Sequence, residues 1–234
     1  MLKVNEIFSA IQGEGKSQGL QVVFLRLAFC NLHCNWCDTP YTWNWKGTNF
    51  THKDKYDINS EVHLMDTDKV ISKLKSFGIK SIVISGGEPF LQQKSLFPVV
   101  EQLKKEGFWI EIETNGTIFP NHNFIQMLDQ INCSPKLQNS GNLLKIRIVP
   151  KVLEVLTSNN KTNFKFVISC RKDVIEALVL IKKYIMKEIY FMPEGRTKVE
   201  IERSTAYVKE LTEQCKVHFT TRQHILNFGD KRGV

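Results

Sequence analysis

One pattern limits the folds open to this chain more than any other. Its hydrophobic period switches repeatedly between two and about 3.6 residues along the length. QVVFLRLAF (21–29) reads as a buried strand. DTDKVISKLKSFGI reads as a helix with Asp66 or Thr67 as its cap, Val70, Ile71, Leu74 and Phe77 as its apolar stripe, and Gly78 as its stop. KSIVIS, FWIEIE, QINCS, NFKFVIS, KEIYFM and KVHFTT read as later strands. Helical patterns separate them, including SLFPVVEQLKKEG with Pro98 near its first turn, a short one with Phe124, Ile125 and Leu128, KDVIEALVLIKKY and VEIERSTAYVKELTEQ. LLKIRIVPKVLEVL is mixed. After the first, strand starts recur roughly every 22–33 residues, the size of βα units with short loops. Such alternation implies a mostly parallel sheet with helices on its outer face. The expected fold is therefore α/β, a partial barrel of about six parallel strands, short of the closed eightfold barrel. An open doubly wound sheet is the alternative.

The length of 234 residues suits a single domain over 1–234. The long element-poor stretch, Tyr41 to Met65, is expected to be an insertion over the site or a lid, packed in part because it is rich in aromatics. No apolar run reaches membrane-span length, and MLKVNEIFSA has no secretory h-region, so a cytosolic chain with no membrane partner is expected. The net charge of +8 admits a nucleic-acid partner or an anionic small molecule. The lysines, however, are scattered along amphipathic stretches, and no nucleic-acid-binding signature accompanies them, so direct nucleic-acid binding is not expected. Cys133, Cys170 and Cys215 each stand alone and read as small core residues.

Chemistry concentrates in FCNLHCNWCDTP. Cys30-x3-Cys34-x2-Cys37 follows the first expected barrel strand, and three thiolates on one loop can wrap a single soft-ligand centre, zinc or an iron–sulfur cluster. Zinc would need a remote fourth ligand, since His33 is crowded by its neighbour Cys34. A cubane held by three cysteines leaves one iron open to a substrate or cofactor. SGGEPF follows at the end of the next strand, where Gly86 and Gly87 can allow close approach to a ligand and Glu88 can accept from an ammonium. Further polar clusters, Glu113 to Thr117, Ser134-Pro135-Lys136 and Phe191 to Glu194, fall at the C-terminal strand ends where βα barrels build their sites.

The cysteine spacing, with aromatic Trp36 before the last cysteine, resembles the radical S-adenosylmethionine superfamily, and SGGEP resembles its methionine-binding motif. FSAIQGEG, Arg26 within FLRLAFCN, CDTP, ETNGT, SPK, FKFVIS, MPEG and GDKRGV extend the likeness over nearly the whole chain, to the 7-carboxy-7-deazaguanine synthase family. That resemblance implies a 4Fe–4S cluster on Cys30, Cys34 and Cys37. It implies S-adenosylmethionine contacts from Trp36, Cys37, Asp38, Gly87, Glu88, Ser134, Pro135, Lys136, Phe191, Met192, Pro193 and Glu194. For 6-carboxy-5,6,7,8-tetrahydropterin it implies Ile11, Gln12, Gly13, Glu14, Arg26, Ser85 (where the family often has Thr), His224 and the carboxylate of Val234. Thr39 matches the position that ligates Mg²⁺.

These residue types suit the ligands. Arg26 offers a planar fork for a carboxylate. Glu14 can accept from an amide and amino edge, Gln12 can pair both ways, and Gly13 and Gly15 can serve the turn. A lone Thr hydroxyl is a poor Mg²⁺ site, so substrate oxygens and waters would complete it. The implied reaction is hydrogen abstraction from C6 by a deoxyadenosyl radical, ring contraction, return of the hydrogen and loss of ammonia, on the route to queuosine. A flavodoxin or ferredoxin as electron donor and a homodimer are implied with it. Two other readings remain open: another small radical enzyme such as a glycyl-radical activase, and a non-catalytic zinc-binding RNA module.

Overall fold

Side chains along each strand alternate between two faces, and in this chain the two faces differ sharply in chemistry. Val23, Leu25 and Leu27 share one face with Ile82, Ile84, Ile110, Ile112, Phe164, Phe166 and Phe191, all buried in one apolar core. Arg26, Ser85, Glu113, Asn132, Lys165 and Met192 occupy the opposite face and line a cleft. The apolar face needs a cover, and the amphipathic helices supply it.

The computed structural model describes residues 1–229 and 231–234. Strand β1 (Leu2–Ile11) pairs antiparallel with β2 (Gln21–Leu27). The loop after β2 carries the cysteines and leads through a buried stretch to α1 (Ile58–Glu61) and β3 (His63–Met65), which pairs with β1. Then α2 (Thr67–Lys75), β4 (Ser81–Gly86), α3 (Gln93–Lys105), β5 (Trp109–Thr114), α4 (His122–Met127) and β6 (Gln130–Cys133) follow. Short α5 (Leu144–Arg147) and α6 (Pro150–Ser158) precede β7 (Thr162–Ile168), α7 (Arg171–Tyr184), β8 (Ile189–Pro193), α8 (Lys198–Cys215), β9 (His218–Phe219) and α9 (Gln223–Phe228). The sheet order is β3-β1-β2-β4-β5-β6-β7-β8-β9, parallel from β2 to β9. The expected partial barrel is therefore present, with an antiparallel β1–β3 edge that periodicity did not reveal.

The open side is bridged by loops rather than strands. Gly15 N donates to Thr220 Oγ1 at 2.7 Å, and Gln223 N donates to Gly13 O at 3.1 Å. Local signals explain the helix starts. Asp66 caps α2 by accepting from Lys69 N at 2.8 Å, and Thr197 and Glu200 form a capping box on α8. Helix α3 begins earlier than expected, because the 3₁₀ turn Pro89–Gln92 feeds it, so Pro98 lies in its second turn instead of its first. Of the lone cysteines, Cys133 is buried as expected, but Cys170 is exposed at the start of α7. Among the described residues, no helix is long and apolar enough to cross a membrane.

Candidate active site

The cysteine loop takes its course from one strained residue. Phe29 has φ 76, a left-handed conformation for a bulky side chain. Backbone bonds hold it there: its N–H donates to Thr42 O at 2.6 Å and its carbonyl accepts from Glu88 N at 2.9 Å. This ends β2 and turns Cys30 into the cleft, which Cys34 and Cys37 also line.

Gly86 and Gly87 serve this loop. A Cβ on Gly86 would sit 2.1 Å from Leu27 O, and one on Gly87 would sit 2.0 Å from Phe29 O and 2.8 Å from Cys30 N. The glycine pair lines the cleft, where a ligand is expected, and it also admits the backbone of the cysteine loop, with Gly87 N donating to Leu27 O at 3.0 Å. Glu88 departs from expectation. It is fully buried and turned from the cleft, accepting from Phe90 N at 3.0 Å, Thr114 Oγ1 at 2.8 Å and Asn115 N at 2.7 Å. Burial, only partly offset by these donors, pushes its carboxyl up to about 7. Its job is to join SGGEP to ETNGT. Replacing it with glutamine puts an amide N–H₂ against a donor, and a loss of about 1–3 kcal/mol in chemical unfolding is expected; an unchanged midpoint would contradict this role.

The thiols suit an iron–sulfur cluster. Burial pushes all three up, Cys34 to about 11, so loading a soft metal must release protons. Trp43 Nε1 points at Cys37 Sγ and Asn142 Nδ2 at Cys34 Sγ, each at 3.3 Å. His33 stacks on Phe50 with ring centroids 3.6 Å apart, a packing role that leaves it outside the ligand set. Thr39 lines the cleft beside the cysteines, its Oγ1 3.6 Å from Cys37 Sγ.

The same cleft carries a wall of charge. Glu14 is paired with both Lys165 and Arg222, the latter at 3.1 Å, and Arg222 also pairs with Asp38. Burial alone would push the Glu14 carboxyl up. Lys165, Arg222 and His224 outweigh it and hold the acid well below the usual carboxylate range. Burial lowers His224 against the pull of Glu14, favouring the neutral ring. Glu14, Asp38 and His224 bring ligand atoms within 4.8 Å of one another. Lys165 and Arg222 already neutralise those carboxylates, so the trio is no cation site. Gly13 makes room for His224, whose Nδ1 would lie 2.4 Å from a Cβ there. Gln12 Nε2 is anchored by Glu111 and Glu113 at 3.1 Å each, and Arg26 Nε by Glu6 at 2.7 Å.

Ile11, Gln12, Gly13, Glu14, Arg26, Ser85, His224 and Val234 all line the same cleft as the cysteines. Trp36, Asp38, Gly87, Ser134, Lys136 and Met192 do too. Phe191 instead packs in the core, its ring edge-on to Phe166 at 6.4 Å, and Pro193 is buried beside it. Pro135 is buried, and Glu194 is half-buried with its backbone N–H on Ile168 O at 3.0 Å. Asp230, in GDKRGV, lies outside the described residues. Lys165 and Arg222 escaped the sequence reading. Lys165 had a signal, a lone charge in an apolar strand; Arg222, in a loop, had none.

The family described as a 4Fe-4S single cluster domain matches residues 11–143. In fold, the chain is similar to the crystal structure of QueE from Escherichia coli, with TM-score 0.72, 23% identity, and coverage of 95% of this chain and 94% of that one. It also resembles Streptococcus suis SuiB bound to S-adenosylmethionine, with TM-score 0.55 and 15% identity over 86% of this chain and 49% of that one. A partial βα barrel whose first parallel strand ends in a CxxxCxxC loop is the architecture of a radical S-adenosylmethionine enzyme. In sequence, the chain is 33% identical to 7-carboxy-7-deazaguanine synthase of Aquifex aeolicus, covering 92% of this chain and 88% of that protein. The counterpart in Pyrobaculum aerophilum is 30% identical, with 99% and 97% covered. The chain belongs to the 7-carboxy-7-deazaguanine synthase family.

Proposed function

We propose that this chain contracts 6-carboxy-5,6,7,8-tetrahydropterin to 7-carboxy-7-deazaguanine with loss of ammonia, on the route to queuosine. One observation carries the reading: a single cleft is lined both by the three thiols and by Gln12, Glu14 and Arg26. A cofactor on the cluster and a substrate on the charged wall can then meet without crossing bulk solvent.

Cys30, Cys34 and Cys37 are the ligands for the 4Fe–4S cluster, and Gly87, Ser134, Lys136, Met192, Trp36 and Asp38 border the space for S-adenosylmethionine. When bound, cluster and S-adenosylmethionine together supply the radical chemistry. The chain supplies orientation. Glu14, kept ionised by its cations, can only accept, which suits the N–H edge of a pterin. Lys165 and Arg222 fix its position. Arg26 stays cationic despite its burial, paired with Glu6 at 2.7 Å, and it faces the substrate carboxylate. His224, neutral, can donate from one ring nitrogen and accept at the other, while Ser85 and the Val234 carboxylate complete the wall. Thr39 is the protein's ligand for Mg²⁺, with substrate oxygens and waters filling the rest of the shell.

A one-electron reductant such as a flavodoxin or ferredoxin and a homodimeric state belong to this proposal. The exposed apolar stripe Ile175, Leu178 and Val179 on α7 supports self-association. The test is anaerobic turnover of the reconstituted enzyme with the tetrahydropterin, with and without Mg²⁺, the product read by mass. The expected product is the deazaguanine carboxylate plus ammonia, formed more slowly without Mg²⁺. Iron-loaded protein that cleaves S-adenosylmethionine yet leaves the pterin unchanged would overturn the reading.

A further inference from the structure

The stretch from Tyr41 to Met65 was expected to cover the site. Its geometry gives part of it another task. Trp43 is 3% exposed, and its ring is packed by His33 at 4.8 Å, Phe50 at 5.6 Å and His52 at 5.9 Å. Lys55 fixes the turn behind it, its Nζ donating to Asn44 Oδ1 at 2.8 Å and to the carbonyls of Thr48 and Phe50 at 3.0 Å. The indole N–H is thereby aimed at Cys37 Sγ, 3.3 Å away.

Asn142 does the same for Cys34. Its Oδ1 accepts from His33 N at 3.0 Å, which orients Nδ2 toward Cys34 Sγ at 3.3 Å. Among the described residues, the contacts to Cys30 Sγ are longer, from Leu32 N at 3.5 Å and Asn115 Nδ2 at 3.9 Å. Two of the three sulfurs thus have a side-chain donor from outside the cysteine motif at 3.3 Å, each held by its own scaffold.

We propose that Trp43 and Asn142 are positioning residues that set the reduction potential of the cluster, by donating N–H bonds to the Cys37 and Cys34 thiolates. The inference rests on those cysteines holding a 4Fe–4S cluster. Reduction adds one electron, from the external donor, and no proton moves: each N–H stays on its own nitrogen. The added charge spreads onto the sulfurs, where an aimed N–H dipole stabilises the reduced state more than the oxidised one. The aromatic wall excludes water, which by itself makes a charged reduced cluster harder to form. The two donors offset that penalty, so a shielded cluster stays within reach of its reductant.

The test uses iron- and sulfide-reconstituted protein without S-adenosylmethionine, poised electrochemically, with the reduced cluster read by electron paramagnetic resonance. Trp43→Phe keeps a ring and deletes the N–H; Asn142→Leu keeps the bulk and deletes the donor. Each is expected to retain wild-type iron with a midpoint shifted negative. At fixed poise the reduced-to-oxidised ratio should fall about tenfold, equivalent to about 59 mV for one electron. Wild-type protein in deuterated buffer should also show an exchangeable proton coupled to the reduced cluster, one that Trp43→Phe lacks. Full iron with an unmoved midpoint in both variants would overturn the proposal. If the variants lose iron, absence of the exchangeable coupling in the wild type overturns it and its presence supports it. Wild-type protein that takes up no cluster would instead overturn the functional reading.

Discussion

Gly87→Ala protein will be colourless and inactive after anaerobic reconstitution. The new Cβ would lie 2.0 Å from Phe29 O and 2.4 Å from Phe29 C, both backbone atoms. No rotamer can relieve a clash between two main chains. The cysteine loop must lift from β4, breaking the bonds from Gly87 N and Glu88 N that hold Leu27 and Phe29. Cys30, next in the chain, moves with it. Iron should fall to the level of Cys34→Ala, close to none per chain. Gly107→Ala provides the control. Gly107 has positive φ, at +77, but nothing lies within 4 Å of its Cβ position, so that variant meets only the left-handed backbone cost of about 1–2 kcal/mol and keeps its iron. Gly87→Ala protein that is brown and fully loaded would refute the close-approach argument.

Arg222→Leu is the second large effect. Arg222 bonds Glu14 at 3.1 Å and the Gly195 carbonyl at 2.5 Å, and also pairs with Asp38, all with its side chain 7% exposed. Removing one partner of a buried charge network typically costs about 3–5 kcal/mol. For a chain of this length that is a fall of roughly 6–20 °C in Tm. Activity should fall further than stability explains, by about 100-fold in kcat/KM, because Glu14 loses its anchored orientation. Arg222→Lys keeps the charge without the planar fork and should fall between the two. The acid side follows from the sign of the Glu14 shift. Its folded value is depressed, so its contribution is complete above the unfolded value near 4.3 and fades as pH falls through the folded one. Lys165 is raised, so its share is complete below about 10.4 and is lost as pH rises through its folded value. Wild-type stability should therefore lose this network's share only outside that window, while Arg222→Leu protein should show a weaker acid dependence in urea melts at stepped pH. An Arg222→Leu melt and turnover equal to wild type would remove Arg222 from the site.

How legible was all this in the chain? The parallel strands were, because each keeps its alternation, apolar toward the helices. Strand β1 was not, for a local reason. Its register shifts between Val4 and Glu6, so Val4 and Ile7 face the core three residues apart, and Asn5 is buried against Glu61. A bulge of that kind erases the period-two signal. The cysteine loop and the Gly-Gly-Glu run were legible as motifs, yet their spacing says nothing of which backbone the glycines must clear. Trp43 read only as one aromatic among several, since its target sulfur lies across a turn. Arg222 meets Glu14 across 208 positions, a pairing that no local window contains.

The loop bridge across the open side has a consequence for the order of assembly. The cysteine loop and its glycine seat lie between residues 27 and 88, close enough to form while the rest of the chain is still being made. The charged wall cannot. Gly15 waits for Thr220, and Glu14 for Arg222, separations of 205 and 208 residues that are among the slowest contacts to close. A nascent chain can thus present a metal-binding loop well before it has anywhere to hold a substrate.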